Sequence, residues 1–75
     1  ERSVFMMPLT MAKPGETVTI RRITGRDEVR RRLAELGFVA DCAVTVVGAV
    51  AGSLILQVRN SRVALDRTMA DRILF

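Results

Sequence analysis

The sequence contains no histidine, tryptophan or tyrosine, and Cys42 is its single cysteine. Histidine nitrogen and cysteine sulfur are the ligands on which most transition-metal sites in proteins depend. The same shortage excludes the serine–histidine and cysteine–histidine pairs that activate nucleophiles, and a lone cysteine cannot form an intramolecular disulfide. We therefore expect no catalytic residue, no cofactor and no tight metal site in this chain. The cysteine usage is typical of a reducing compartment, with Cys42 as a small buried residue.

Aromatic residues are also few, at 4% of a chain that is 49% hydrophobic. The core must therefore be built mainly from valine, isoleucine and leucine. A length of 75 residues corresponds to one small domain, which we expect over residues 7–75. Residues 1–6 are expected to be an N-terminal extension or a remnant of cloning. The formal charge of +4 is high enough to consider an acidic protein or a nucleic acid as partner.

One helix is predicted within Ile23–Gly37. Val29, Leu33 and Leu36 recur at the spacing that places them on one helix face, and Gly37 stands where a glycine commonly ends a helix with positive φ. A single apolar stripe must cover another apolar surface to be stable. We therefore expect Leu33, in the middle of the stripe, to plug one open end of a small barrel.

Short strands separated by turns are predicted in the rest of the chain. A turn is expected at Lys13–Glu16, a flexible loop at Gly48–Ser53, a hairpin turn at Asn60-Ser61 and a helix cap at Asp66. An apolar arm is expected before the first turn. Strands are predicted at Thr17–Ile23 with a bend at Arg21-Arg22, at Ala43–Val47, Leu54–Arg59, Arg62–Leu65 and Arg72–Phe75.

The uncharged run Cys42–Val58 is long enough to suggest a membrane span at first sight. It barely reaches the minimum length of such a span. Leu54, Leu56 and Val58 alternate with polar or smaller positions, as strands do, and two glycines interrupt the run. We therefore interpret it as two strands joined by a glycine-flanked loop.

Arginines are concentrated on the predicted helix, where three follow one another at Arg30–Arg32. Acidic residues precede them at the spacing of i,i+4 ion pairs, Asp27 with Arg31 and Glu28 with Arg32. One interpretation is therefore a solvated, internally paired helix face. The alternatives are a docking surface for an acidic protein partner and a nucleic-acid site, although no aromatic residues lie between the arginines to stack on bases.

Four charged residues are the candidates for partner binding: Arg21, Arg30, Arg31 and Glu35. Arg31 and Glu35 lie away from the apolar stripe on a helical wheel, and Arg30 lies at its flank. Arg21 is expected to point away from the buried face of the first strand. These side chains have no expected role in the core.

The order and spacing of apolar and glycine positions over Met7–Phe75 resemble the FeoA family. The residues that carry the resemblance are Pro8, Leu9, Gly15, Ile20, Ile23, Gly25, Arg32, Leu33, Leu36, Gly37, Val44, Val46, Gly52, Val58, Val63, Ala64, Leu65, Ala70 and Ile73. Ala40-Asp41 departs from the Pro-Gly turn usual in that family, and Asp66 replaces a basic residue. Neither departure affects the core pattern.

The resemblance implies a mainly β fold with one inserted α-helix, a small SH3-like β-barrel. It also implies a cytoplasmic accessory protein of bacterial ferrous iron uptake, which binds the cytosolic domain of a FeoB-type membrane transporter and is not an enzyme. The alternatives are the SH3-like regulatory domain of an iron- or manganese-dependent transcriptional repressor, or a basic nucleic-acid-binding module. Direct contact with Fe²⁺, the docking face and homo-oligomerisation stay open.

Overall fold

The computed structural model of the protein describes residues 6–75, so the predicted extension lies outside this range except for Met6. Strands outweigh helices in the described chain, as predicted. In chain order it contains a 3-10 helix at Leu9–Met11, β1 at Thr17–Thr19, β2 at Arg22–Ile23, α1 at Asp27–Glu35, β3 at Ala43–Val50, β4 at Ser53–Val58, β5 at Ser61–Asp66, α2 at Arg67–Ala70 and β6 at Ile73–Leu74. Neither α-helix in this range is long and apolar enough to cross a membrane.

The strands form two antiparallel sheets that do not join into one closed ladder. The larger sheet has the order β1-β3-β4-β5, and the smaller one pairs β2 with β6. Met7 and Phe75 exchange two backbone hydrogen bonds of 2.8 Å, which lengthens the smaller sheet. The strand predicted over Thr17–Ile23 bends as expected, because Ile20 and Arg21 leave the first sheet before β2 enters the second.

Two tight hairpins connect the long strands, and both correct the sequence-based predictions. Gly48 and Ser53 belong to strands, so the predicted flexible loop is only Ala51-Gly52, with φ of 47° and 83°. Val58 pairs with Ser61, which makes Arg59-Asn60 the second turn instead of Asn60-Ser61. The first residue of this turn, Arg59, has a positive φ of 55°.

The turn before β1 follows the prediction. Glu16 donates its backbone N–H to the carbonyl of Lys13 at 3.0 Å, and Gly15 has a φ of 88°. A type II turn requires positive φ at this position, which glycine adopts without steric cost. The arm before this turn is only partly extended, because Leu9–Met11 forms a 3-10 helix.

The core is entirely apolar among the described residues. The alternating valines and leucines of β3 and β4 are buried, whereas Val63 of β5 is only half-buried. Phe38, which lies outside every predicted helix and strand, is the largest fully buried side chain. The buried residues are Leu9, Ala12, Val18, Ile20, Leu33, Phe38, Val44, Val46, Leu54, Leu56, Val58, Leu65, Ala70 and Ile73.

Helix α1 is attached to the core mainly by Leu33, which is fully buried. The helix ends in a Schellman arrangement: Phe38 donates its N–H to the Leu33 carbonyl at 2.9 Å, and Gly37 donates to Ala34 at 3.0 Å. Gly37 has a φ of 106°, as predicted for the residue after a helix end. This reversal brings Leu33 and Phe38 into the same core.

Leu36 does not belong to the core, contrary to the predicted apolar stripe. It lies at the helix end, after the last full turn, and its side chain is 38% exposed. Val29 is half-buried. The stripe of this nine-residue helix is therefore deeply buried only at its centre, Leu33.

The connector between α1 and β3 adopts a turn without the Pro-Gly pair. Asp41 has a φ of 70° and donates its backbone N–H to the Ile20 carbonyl at 2.8 Å. Aspartate tolerates this conformation better than most residues with a side chain. Cys42, expected to be buried, is only half-buried against the core.

Replacing Leu33 should destabilise the protein far more than replacing Leu36. Truncating a fully buried leucine costs about 2–5 kcal/mol, so Leu33→Ala should remove much of the stability of so small a domain. Leu36→Ala is the matched control and should change the free energy of unfolding by less than about 1 kcal/mol, as is usual for exposed positions. Urea denaturation followed by circular dichroism measures both, and equal losses would contradict this packing.

Candidate functional site

The structure places all four candidate partner-binding residues on the surface. Arg30, Arg31 and Glu35 are exposed on α1, and Arg21 is exposed between β1 and β2. Arg31 and Glu35 border the same shallow depression, whose volume is about 390 Å³. Glu28, Arg32 and Leu36 complete its lining. The outer face of α1 is therefore a charged surface of mixed sign.

A second depression lies on the side of α1 that faces the connector between α1 and β3. It is bordered by Arg30 and, again, by Arg31. Its apolar lining includes Phe38 and Val39. Arg31 thus lies between two concave surfaces, with charged groups on one side and apolar groups on the other.

Arg21 lies apart from the helix residues. It borders a different concave surface, together with Met7, Phe75, Glu16, Val18 and Thr19. Its backbone N–H donates to the Leu74 carbonyl at 2.8 Å, which fixes it beside the smaller sheet. The four candidates are therefore not brought together into a single cavity.

The ion pairing on α1 differs from the prediction. Arg30 forms a salt bridge with Asp27, at i,i+3, with side chains that are 52% and 80% exposed. Across residues 6–75 we find neither of the predicted pairs, Asp27 with Arg31 or Glu28 with Arg32. Exposed pairs contribute little to stability. Because Arg31 forms no salt bridge within residues 6–75, its charge is available to a binding partner.

A larger groove between α1 and β5 was not predicted from the sequence. This helix–strand groove has a volume of about 650 Å³ and is lined by Glu28, Val29, Arg32, Leu36, Val63, Ala64, Leu65, Asp66 and Met69. Its apolar part includes Val63 and Leu36, the latter predicted to lie on the apolar face of the helix.

Asp66 lies at one end of this groove and caps α2, as predicted. Its Oδ1 accepts the backbone N–H of Met69 at 2.8 Å. This satisfies one of the amide groups that a helix start leaves without an intrahelical partner. Glu28 and Asp66 make the groove acidic, with Arg32 as its basic residue.

None of these surfaces resembles a metal centre. Within residues 6–75 there is no group of three or more histidine, cysteine, aspartate or glutamate side chains close enough to hold an ion. The carboxylates of the helix–strand groove belong to different elements, and one of them is engaged in the α2 cap.

Comparison with known proteins supports the family resemblance over nearly the whole chain. The family model described as FeoA domain matches residues 7–75. A relative from Methanocaldococcus jannaschii, provisionally named Fe(2+) transport protein A, is 29% identical over 69 residues, which are 92% of this chain and 84% of that protein.

Solved structures with the same fold come from two kinds of protein. The crystal structure of Stenotrophomonas maltophilia FeoA complexed with zinc, described as an SH3 domain protein, has a TM-score of 0.79 and 29% identity, with 89% of this chain and 86% of that one covered. A manganese-dependent transcriptional repressor has a TM-score of 0.84 and 24% identity, and the match covers 92% of this chain but 40% of the repressor. The predicted SH3-like fold is thereby confirmed.

Titration with metal ions should reveal no tight site on the isolated chain. Calorimetry with Zn²⁺, and with Fe²⁺ under anaerobic conditions, should show no binding tighter than about 1 μM, or about −8 kcal/mol. The physical reason is the absence of histidine and of any clustered ligand group within the described residues. Stoichiometric nanomolar binding would contradict the prediction, and Cys42→Ser would then show whether the thiol is a ligand.

Proposed function

Because the chain belongs to the FeoA domain family, we propose that it is an accessory protein of ferrous iron uptake. It acts in the cytoplasm, without catalysis of its own, by binding the cytosolic domain of a FeoB-type membrane transporter. The names of two relatives support the transport role: one is the Fe(2+) transport protein A already described. The other, the Stenotrophomonas maltophilia protein, is described as a candidate ferrous iron transport activating factor.

The exposure of the charged face of α1 is the observation that carries the docking proposal. The helix buries one residue completely, Leu33, and leaves Arg30, Arg31 and Glu35 in solvent. Charged side chains that contribute little to folding can be replaced with little effect on stability. Such groups can instead accelerate association with a partner of opposite charge and fix its orientation.

Arg31 is the proposed centre of this docking face. It borders both depressions on α1, whereas Arg30 and Glu35 each border one of them. The accessible apolar lining at Ile23, Ala34 and Val39 would supply the water-excluding part of an interface, and the charges its rim. Arg21 contributes only if the partner also extends over the smaller sheet.

The likeness to a manganese-dependent repressor supports a second candidate, a regulatory domain of a transcriptional repressor. The match covers 40% of that protein, so this chain would correspond to one part of such a regulator. A regulatory domain would bind the remainder of its repressor and would not require a transporter. The basic module that binds nucleic acid directly is the remaining alternative.

Reversing two charges on α1 should abolish binding to the transporter. We expect Arg30→Glu with Arg31→Glu to lose binding to the purified cytosolic domain of a FeoB-type transporter, because repulsion replaces attraction at the rim. Binding is measured by surface plasmon resonance at several salt concentrations, with and without guanine nucleotide. Wild-type binding should weaken as salt rises.

The control is Arg59→Glu with Arg67→Glu, which makes the same change in charge at exposed positions away from α1. This variant should bind the transporter domain nearly as well as wild type. Neither variant nor the wild type should bind random duplex DNA appreciably at physiological salt. Normal transporter binding by the folded α1 variant would refute this docking face, and DNA binding sensitive to the α1 variant would favour the nucleic-acid alternative.

A further inference from the structure

Strand β5 is an edge strand with an accessible free side. In the sheet order β1-β3-β4-β5 it pairs with β4 alone among the described strands. A two-residue hairpin closes on a hydrogen-bonded pair, here Val58 with Ser61, and such pairs recur at every second residue. Ser61, Val63 and Leu65 therefore direct their backbone groups toward β4. The backbone groups of Arg62 and Ala64, and the N–H of Asp66, point away from the sheet.

Two further observations agree with this assignment. The next odd-numbered residue, Arg67, donates its N–H back toward the β4 side, to the Gly52 carbonyl at 3.3 Å. The helix–strand groove is lined both by Val63 and Leu65, which face the core, and by Ala64 and Asp66, which face solvent. Only an opening along the edge of a strand contacts residues of both faces.

The side chains along this edge form a self-complementary series of a base, a small residue and an acid: Arg62, Ala64 and Asp66. We propose that a second copy of this chain pairs antiparallel with β5, with Ala64 opposite the partner's Ala64. In that register Arg62 lies opposite the partner's Asp66, and Asp66 opposite the partner's Arg62. This inference is independent of the proposed transporter partner.

Most of the outward backbone groups match in this register. Ala64 exchanges hydrogen bonds with the partner's Ala64 in both directions, since both residues direct their N–H and C=O outward. The N–H of Asp66 reaches the carbonyl of the partner's Arg62. The carbonyl of Asp66 is directed into α2, because an N-cap residue's carbonyl accepts the first bond of its helix.

The charged side chains remain available for this contact. Arg62 donates its Nε to Gln57 at 3.2 Å, which leaves its terminal nitrogens free to reach a partner. Asp66 uses Oδ1 in the α2 cap, which leaves its second oxygen. Opposite charges directly across antiparallel strands stabilise the pairing, and like charges destabilise it.

The charge pattern also selects the register and the occupant. Antiparallel self-pairing centred on Arg62 or on Asp66 would place like charges opposite each other. The register centred on Ala64 is the one that pairs all three outward residues. Because it is symmetric, each copy presents the same surface to the other, as in the two-fold interfaces of most homodimers. An unrelated extended segment would have no reason to match this symmetry.

Disulfide trapping tests the register. In a Cys42→Ala background, Ala64→Cys places two thiols opposite each other, with Cα atoms about 5.5 Å apart, within the range of a disulfide. Mild oxidation should convert most of this variant to a covalent dimer. The matched control Arg62→Cys should crosslink much less, because its counterpart is the partner's Asp66. Equal crosslinking of both variants, or none, would refute the register.

Sedimentation equilibrium tests the association itself. The wild-type mass should rise from 8.3 kDa toward twice that value as concentration increases. Ala64→Pro removes an outward N–H without breaking the β4–β5 ladder, and it should weaken association about tenfold or more. A wild type that stays monomeric at the highest soluble concentration would overturn the proposal.

Charge variants keep the test decisive if Ala64→Pro fails to fold. Arg62→Glu places a carboxylate opposite that of the partner's Asp66, so association should weaken. Arg59→Glu makes the same charge change in the hairpin loop and should leave association unchanged. Adding Asp66→Asn to Arg62→Glu retains the helix cap and removes the repulsion, so part of the association should return. Equal effects of Arg62→Glu and Arg59→Glu would show that only net charge matters, against the proposed contact.

Discussion

The shared burial of Leu33 and Phe38 is the interaction on which the rest of this structure depends. A nine-residue helix is marginal in water by itself, so α1 exists because the sheet covers its one fully buried residue. The reversal at Gly37 converts the end of the helix into a second point of attachment by directing Phe38 into the same core. The position of α1, and of every charge on it, follows from these two side chains.

This attachment leaves much of the helix surface free. A helix held along its whole length would have buried Leu36 and closed the space beside β5. Instead, α1 presents its arginines to solvent on one side and leaves the helix–strand groove on the other. The two proposed interfaces are adjacent, because Glu28, Arg32 and Leu36 border both the depression at Arg31 and the helix–strand groove.

The extended strands followed the alternation of their sequence, because a strand with one buried face must place alternate residues in the core. The period of two was therefore sufficient to predict the buried positions of β3 and β4, which are Val44, Val46, Leu54, Leu56 and Val58. The α2 cap at Asp66 was equally local. The hairpin turns were harder. Pairing with Ser61 forces positive φ on Arg59, although asparagine is the residue that prefers it.

The sequence alone was sufficient for the fold class, the helix, the aliphatic core of the long strands and the family, because each depends on spacing along the chain. Only the tertiary structure decided that Phe38 is buried and Leu36 is not, that Arg30 pairs with Asp27, and that Arg21 lies apart from the helix arginines. The helix–strand groove and the free edge of β5 were likewise revealed only by the tertiary structure. Each depends on the distance and angle between α1 and the sheets, which are set by packing between residues far apart in sequence.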